Sequence, residues 1–192
     1  MSLSITAGEA KAFPLHPEGI FPAVCVDVID LGPMAVTFEG KTSIKHQMQI
    51  VWETEKVDEE GRHMTLRSRR LTVSLHPKAK LAELLSKWFG KAVTTGTTIE
   101  LDSLIGKCCT VVVSHTESQD GTRTYANIDA VSKPTKKFEA SGDYDPAAAR
   151  TRINEWRQKD GIDPLPVDRP AKPEPTPTPA PVEEVEEDDV PF

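Results

Sequence analysis

The sequence predicts an all-β domain with a minor helical part, and three observations lead to this expectation. Five stretches between residues 19 and 132 are strongly apolar, or alternate apolar and polar side chains with the period of two that is typical of strands. One segment among them has the apolar spacing of an amphipathic helix. From residue 162 onward the chain is rich in proline and acid and nearly lacks large apolar side chains, a composition that is typical of disorder.

These patterns divide the chain into four parts. We expect an N-terminal arm at 1–18, a β domain at 19–132, a linker with an amphipathic helix at 133–161, and a disordered tail at 162–192. The length of 192 residues fits this division, because a single core usually takes about 100–150 residues.

The first predicted strand covers residues 19–29. Val24, Val26 and Val28 share one of its faces, as period-two alternation requires. The turn-forming residues 31–33 are expected to end this strand.

The second and third predicted strands cover residues 44–53 and 65–75. Met48 and its period-two neighbours form the apolar face of the second strand. The third strand begins with a basic stretch in which Arg69 has the same parity as the inward-facing Leu71. A bulge or a position at the rim of the sheet must therefore bring Arg69 to solvent.

A helix and two further strands complete the domain. The helix is expected to begin at Pro77 and to end at Gly90. The fourth strand covers 104–115, a turn lies at 118–121, and the fifth strand covers 122–131. The order βββ-α-ββ resembles an OB-fold, a five-stranded Greek-key barrel whose second and third strands and flanking loops bind oligonucleotides.

A second helix is predicted beyond the β domain. Asp145 is a good N-cap, and Pro146 stands at the first helical position. The helix is expected to reach Gly161, with Ala149 and Ile153 on its apolar stripe.

Charge is distributed very unevenly along the chain. The net charge is −7, yet residues 161–192 alone hold nine acids against two bases. Residues 40–91 hold eleven bases against six acids. The sequence therefore predicts a body with a basic stretch that is tied to an acidic tail.

Several classes of site and location are disfavoured by the sequence. The three cysteines lack CxxC spacing, the five histidines are scattered, and no glycine-rich phosphate loop is present. We therefore expect no metal, no cofactor and no catalytic site. No apolar run is long enough to span a membrane and no secretory signal is visible, which predicts a cytoplasmic protein without membrane partners.

The clearest motif is the sequence Glu-Glu-Asp-Asp-Val-Pro-Phe at residues 186–192. It resembles the C-terminal tip of bacterial single-stranded DNA-binding proteins, an acidic run that ends in Asp-Asp-Ile-Pro-Phe, with Val190 in place of isoleucine. Some phage single-stranded DNA-binding proteins also end in acid plus phenylalanine. The resemblance implies that the tip binds proteins of replication, recombination and repair. It assigns partner binding to Asp188, Asp189, Val190, Pro191 and Phe192.

Binding of a single strand needs cations that follow the phosphates and flat rings on which bases stack. The predicted second and third strands and two loops supply such side chains. The candidates are Phe38, Lys41, Lys45, Gln47, Gln49, Trp52, Arg67, Arg69, Arg70, Arg123 and Tyr125. Trp52 lies on the same face of the second strand as Met48, so a position in the core is an alternative for it. Trp88 and Trp156 are expected to pack on the apolar stripes of the two helices. The arginines could also form a plain solvated strand face.

We therefore expect a non-enzymatic, sequence-independent single-stranded DNA-binding protein, in a bacterial cell or a phage-infected bacterial cell, that recruits partners through its tail. The alternative is a protein-interaction adaptor with an OB-like barrel that does not bind DNA directly. Whether the chain forms a homo-oligomer is left open by the sequence.

Overall fold

The computed structural model describes residues 14–94, 96–118 and 120–166. The expected N-terminal arm falls largely outside this range, as do most of the expected tail and the whole partner-binding tip, Asp188 to Phe192. The side chain of Phe38 also lies outside the described part.

The described residues form an antiparallel sheet with two α-helices. The elements are β1 (Gly19–Phe38), β2 (Lys41–Val57), β3 (His63–Arg67), β4 (Leu71–Thr72), α1 (Lys80–Phe89), β5 (Cys108–Glu117), β6 (Thr124–Ser132) and α2 (Pro146–Lys159), with a short 3₁₀ turn at Leu101–Leu104. The strand order is β3-β2-β1-β5-β6, and β4 pairs with β2. The end strands β3 and β6 also come into contact.

Strand β1 is longer than the sequence predicts. Gly32 has a φ of +67°, and the pairing register with β2 shifts between Asp30 and Gly32. The Asp30 carboxylate accepts a hydrogen bond from the Gly32 amide at 2.7 Å. The expectation that residues 31–33 end the strand is therefore wrong, because the glycine is used for a β-bulge and not for a chain reversal.

The reversal occurs seven to eight residues after Gly32, at a tight hairpin turn. Glu39 and Gly40 have φ values of 47° and 74°, and Phe38 pairs with Lys41 across the turn. Positive φ at both central residues is the geometry that matches the twist of two antiparallel strands. β1 and β2 thus form a long ribbon whose outer end, at residues 39–46, is exposed.

The third predicted strand is divided by a bulge. β3 ends at Arg67, and the Ser68 hydroxyl accepts a hydrogen bond from the Ile50 amide at 3.0 Å. The next two residues, Arg69 and Arg70, are exposed before the short strand β4 begins. This confirms that Arg69 reaches solvent despite its parity with buried Leu71.

One hydrophobic core lies between the sheet and α1. Trp52 and Trp88 are 0% and 1% exposed, with ring centroids 5.8 Å apart. The Trp88 indole donates a hydrogen bond to the Cys108 carbonyl at 2.8 Å. Gly90, with a φ of 62°, ends the helix as predicted.

A second core lies on the other side of the sheet, under α2. Ile153, which is 1% exposed, packs there with Val51 and Ile29. Asp145 caps the helix through bonds from the Ala147 and Ala148 amides, as the sequence predicts. The segment that the sequence separates as a linker and helix is therefore packed against β1 and β2.

A buried ion pair fixes this packing. Arg150 donates to both Asp27 carboxylate oxygens, at 2.7 Å and 3.1 Å, and the Tyr144 hydroxyl donates to the same carboxylate at 2.9 Å. Asp27 is fully buried in the middle of β1. A buried carboxylate needs such partners, because its desolvation is otherwise costly.

Candidate nucleic-acid interface

A basic cleft lies between β2, β4 and the start of α1. Its volume is about 450 Å³, and no acidic side chain is among the described residues that line it. The basic side chains of the lining are Lys45, Arg70, His76, Lys78 and Lys80. All five residues are exposed. The cleft therefore gathers positive charge around an open space.

Strand pairing brings the walls of the cleft together. Gln47 pairs with Thr72, which places β4 beside the part of β2 that carries Lys45. The Val73 amide donates to the His46 carbonyl at 2.9 Å and continues this contact beyond β4. Arg70 precedes β4 at the end of the bulge, so it faces the same cleft as Lys45.

The third wall is a compact turn before α1. The His76 amide donates to the Ser74 hydroxyl at 3.2 Å, and the Lys78 amide donates to the His76 ring at 3.2 Å. The Ala79 amide donates to the His76 carbonyl at 2.7 Å. These local bonds fix the backbone that presents Lys78 to the cleft.

Cations around an open cleft suit the phosphates of a nucleic-acid strand. Lysine and arginine form charge-assisted hydrogen bonds with phosphate oxygens, and phosphate neutralisation supplies most of the affinity of non-specific binding. Lys80 shares its charge with Glu83, at 3.1 Å, which leaves Lys45, Arg70 and Lys78 as the stronger candidates. The cleft could therefore bind a polyanionic strand without reading its bases.

The predicted DNA-binding residues of the second strand and of the loop before it differ in their exposure. Lys41 and Lys45 are exposed on the β1–β2 ribbon. Gln47 is only 7% exposed, and Gln49 donates to the Ser68 carbonyl at 2.9 Å, so both amides belong to the structure of the sheet. Trp52 is fully buried, which corrects its assignment as a stacking platform: its ring is covered by the first core.

Arg67 lies outside the cleft, on the outward face beside α2. It pairs with Val51, a member of the second core. Burial among neighbouring groups, with a smaller effect from the charge of Arg152, lowers the pKa of Arg67. Its residue surface is nevertheless exposed, so the guanidinium remains accessible to water.

Arg123 and Tyr125 lie at the opposite end of the sheet. Tyr125 pairs with Thr116, three residues beyond the position where β5 meets Gly19 at the start of β1. Lys45 pairs with Met34, near the other end of β1. The two sites are therefore about 18 residues apart along the strand direction, which at about 3.3 Å per residue is at most about 60 Å. The structure does not bring them together.

Sequence reasoning missed Lys78, Lys80 and His76. The signal was present, since residues 76–80 hold three basic side chains directly after a basic strand. We interpreted this segment only as the start of a helix, whereas the structure begins the helix at Lys80 and uses the preceding residues as a turn.

Comparisons with protein-family models, curated proteins and solved structures found no match for this chain. Within the described ranges, no three histidine, cysteine or acidic side chains lie together in a way that could hold a metal ion. None of the helices in those ranges is long and apolar enough to cross a membrane.

Proposed function

We propose that this protein binds single-stranded DNA without sequence preference and that the strand lies along the basic cleft. The observation that carries the proposal is the convergence of Lys45, Arg70 and Lys78 from three separate segments on one open space. Cations that were spread over a solvated surface without a function would not be expected to gather around one cleft.

The topology supports the proposal. We infer that the sheet is an OB-type barrel, because the order β3-β2-β1-β5-β6, the contact of β3 with β6 and the position of α1 between β4 and β5 are what that fold requires. In such barrels the ligand lies over the second and third strands and their loops. The cleft occupies this region, since β2 and β4 form two of its walls.

The acidic segment adds a second part to the proposal. Residues 183–192 hold six acids and end in Val-Pro-Phe. We infer that Asp188 to Phe192 bind proteins of replication, recombination or repair, with the ring of Phe192 in an apolar pocket and the acids beside basic groups. The support for this part comes from the sequence motif alone.

The test is a salt titration with a fluorescently labelled oligo-dT, followed by anisotropy. The variant K45Q/R70Q/K78Q removes three cations of the cleft. The matched control K91Q/K107Q/K137Q removes three exposed cations that do not line it. Each phosphate contact on a single strand contributes a slope of about −0.7 to log K against log salt.

We expect the cleft variant to bind more weakly at about 50 mM salt and its slope to be flatter by about 2. The control should keep the slope of the wild type. The absence of oligo-dT binding by the wild-type chain would overturn the proposal and favour the adaptor alternative. Equal losses in both variants would refute the cleft as the binding site.

A further inference from the structure

One extra residue lies in the chain between β3 and β4. Val51 pairs with Arg67 before this point. Met48 pairs with Leu71 after it. Two residues of β2 therefore lie opposite three residues of the other strand, which is the definition of a β-bulge. Bulges often direct a side chain away from the position that regular pairing would give it. The residue that this bulge places directly before β4 is Arg70, which lines the cleft.

Ser68 holds the first part of the bulge. Its amide donates to the Ile50 carbonyl at 2.9 Å, and the Ile50 amide donates to the Ser68 hydroxyl at 3.0 Å. In a regular antiparallel ladder, two residues that face each other in this way exchange bonds through their backbone carbonyls. The hydroxyl therefore takes the place of the Ser68 carbonyl in the ladder.

Gln49 binds the carbonyl that the hydroxyl has replaced. Its side-chain amide donates to the Ser68 carbonyl at 2.9 Å. Gln49 lies opposite Arg69 and Arg70, because its two neighbours in β2 are bonded to the residues that flank these arginines. The amide thus fixes the orientation of the peptide group that leads into the two arginines.

The two arginines of the bulge differ in their surroundings. Arg70 lines the cleft, and its guanidinium lies 4.6 Å from the ring centroid of Trp156. Arg69 is exposed and is not among the described residues that line the cleft. A change in the bulge would move Arg70 away from this position. A cation that is held in place before its ligand arrives loses less conformational freedom on binding.

We propose that Gln49 and Ser68 are positioning residues of the strand-binding site, because their hydrogen bonds hold the bulge that directs Arg70 towards a backbone phosphate in the cleft. This inference rests on the proposed function, since it concerns a cation of the same cleft. Gln49 thereby contributes to binding although it carries no charge and its amide is engaged within the sheet.

A double-mutant cycle with labelled oligo-dT tests this role. Gln49→Met removes the amide and keeps a side chain of similar length. At low salt we expect its affinity to fall roughly 2- to 10-fold, the value of one net hydrogen bond. In the Arg70→Gln background the same change should have no effect, because the cation that Gln49 positions is absent. The matched control Gln158→Met, which removes an exposed amide of α2 outside the cleft, should bind like the wild type.

Three results of the cycle would overturn the inference. Equal losses in the wild-type and Arg70→Gln backgrounds would indicate a general effect on the sheet, since independent changes add. A loss that disappears in the Arg69→Gln background, and not in the Arg70→Gln background, would assign the bulge to the wrong arginine. Unchanged affinity of Gln49→Met would show that the amide has no part in binding.

A second measurement needs no DNA. The Arg70 guanidinium lies beside the Trp156 indole, so the ring current should shift its Nε–Hε signal in the NMR spectrum of the free protein. The signal is assigned by its absence in Arg70→Gln. We expect Gln49→Met to move it towards the signals of exposed arginines, with a urea midpoint close to that of the wild type.

The NMR measurement separates this inference from the proposed function. An unmoved Arg70 signal in Gln49→Met would overturn the positioning role and leave the cleft as the binding site. Failure of the wild type to bind oligo-dT would overturn the proposed function, and the NMR signal would still show whether Gln49 positions the guanidinium.

Discussion

Replacing Arg150 by methionine is expected to destabilise the protein more than any surface substitution. The guanidinium and the Asp27 carboxylate are 6% and 0% exposed and share two hydrogen bonds of 2.7 Å and 3.1 Å. Removal of one partner leaves a charge in a desolvated place, and such changes cost about 3–5 kcal/mol. Tyr144 would still donate to the carboxylate, which favours the lower end of this range.

Unfolding in urea, followed by far-ultraviolet circular dichroism and by tryptophan emission, measures this effect. With a slope of about 2 kcal/mol per M, the midpoint should fall by roughly 1.5–2.5 M. The emission of Trp156 should change before the circular dichroism, because undocking of α2 lets water reach the Asp27 carboxylate at a lower cost than global unfolding.

The double variant Asp27→Leu/Arg150→Met provides the control. It removes both charges and leaves apolar groups beside the second core, so it should recover most of the lost stability. A loss below about 1 kcal/mol in the single variant would refute the reasoning. A double variant that is less stable than the single variant would also refute it.

Three further predictions concern other parts of the molecule. Burial lowers the pKa of His16 below the ordinary value of 6.5, so the unfolded chain takes up the proton first. The contribution of neutral His16 to the free energy of unfolding should be fully present above about pH 6.5 and should be lost as the pH decreases below this value. The urea midpoint of His16→Gln should depend less on pH than that of the wild type. An unchanged pH dependence would contradict the assignment of this effect to His16. Gly90→Ala forces a Cβ onto a left-handed residue and towards the Lys133 side chain, and the free energy of unfolding should fall by about 1–2 kcal/mol. A thermal midpoint equal to that of wild type would show that the αL cap is dispensable. Deletion of 183–192 removes six acids, so oligo-dT should bind more tightly at low salt, because the tail no longer competes for the cations. Weaker binding by the shortened chain would contradict this competition.

The order of elements could be predicted because it depends on local patterns. The alternation in β2, the apolar run of β5, the stripe and glycine stop of α1 and the Asp-Pro start of α2 each arise from neighbouring residues. Gly32 misled the prediction because a glycine with positive φ serves equally well in a turn and in a bulge. Which of the two forms depends on whether a partner strand continues, and that is a tertiary property.

The burial of outward positions could not be predicted from parity. Val51 and Glu53 lie on the outward face of β2, yet both are buried. The Glu53 carboxylate accepts a hydrogen bond from the Ser141 amide at 2.7 Å, a contact between residues far apart in the chain. The segment that covers this face comes after β6, so a pattern within β2 carries no information about it.

The candidate site was predictable only in part, for the same reason. Lys45 and Arg70 were found because they lie on segments of a recognisable basic stretch. Lys78 joins them through the path of the turn before α1, which the sequence pattern of the helix did not indicate. Tyr125 was grouped with them from a fold resemblance, although the strand register places it at the other end of β1.

Protection of lysines from acetylation, read by mass spectrometry with and without saturating oligo-dT, tests the basic cleft most directly. The account predicts that Lys45 and Lys78 lose reactivity when the strand is bound, while Lys91 and Lys107, which are exposed outside the cleft, keep theirs. Protection of Lys91 and Lys107 with full reactivity at Lys45 and Lys78 would contradict it.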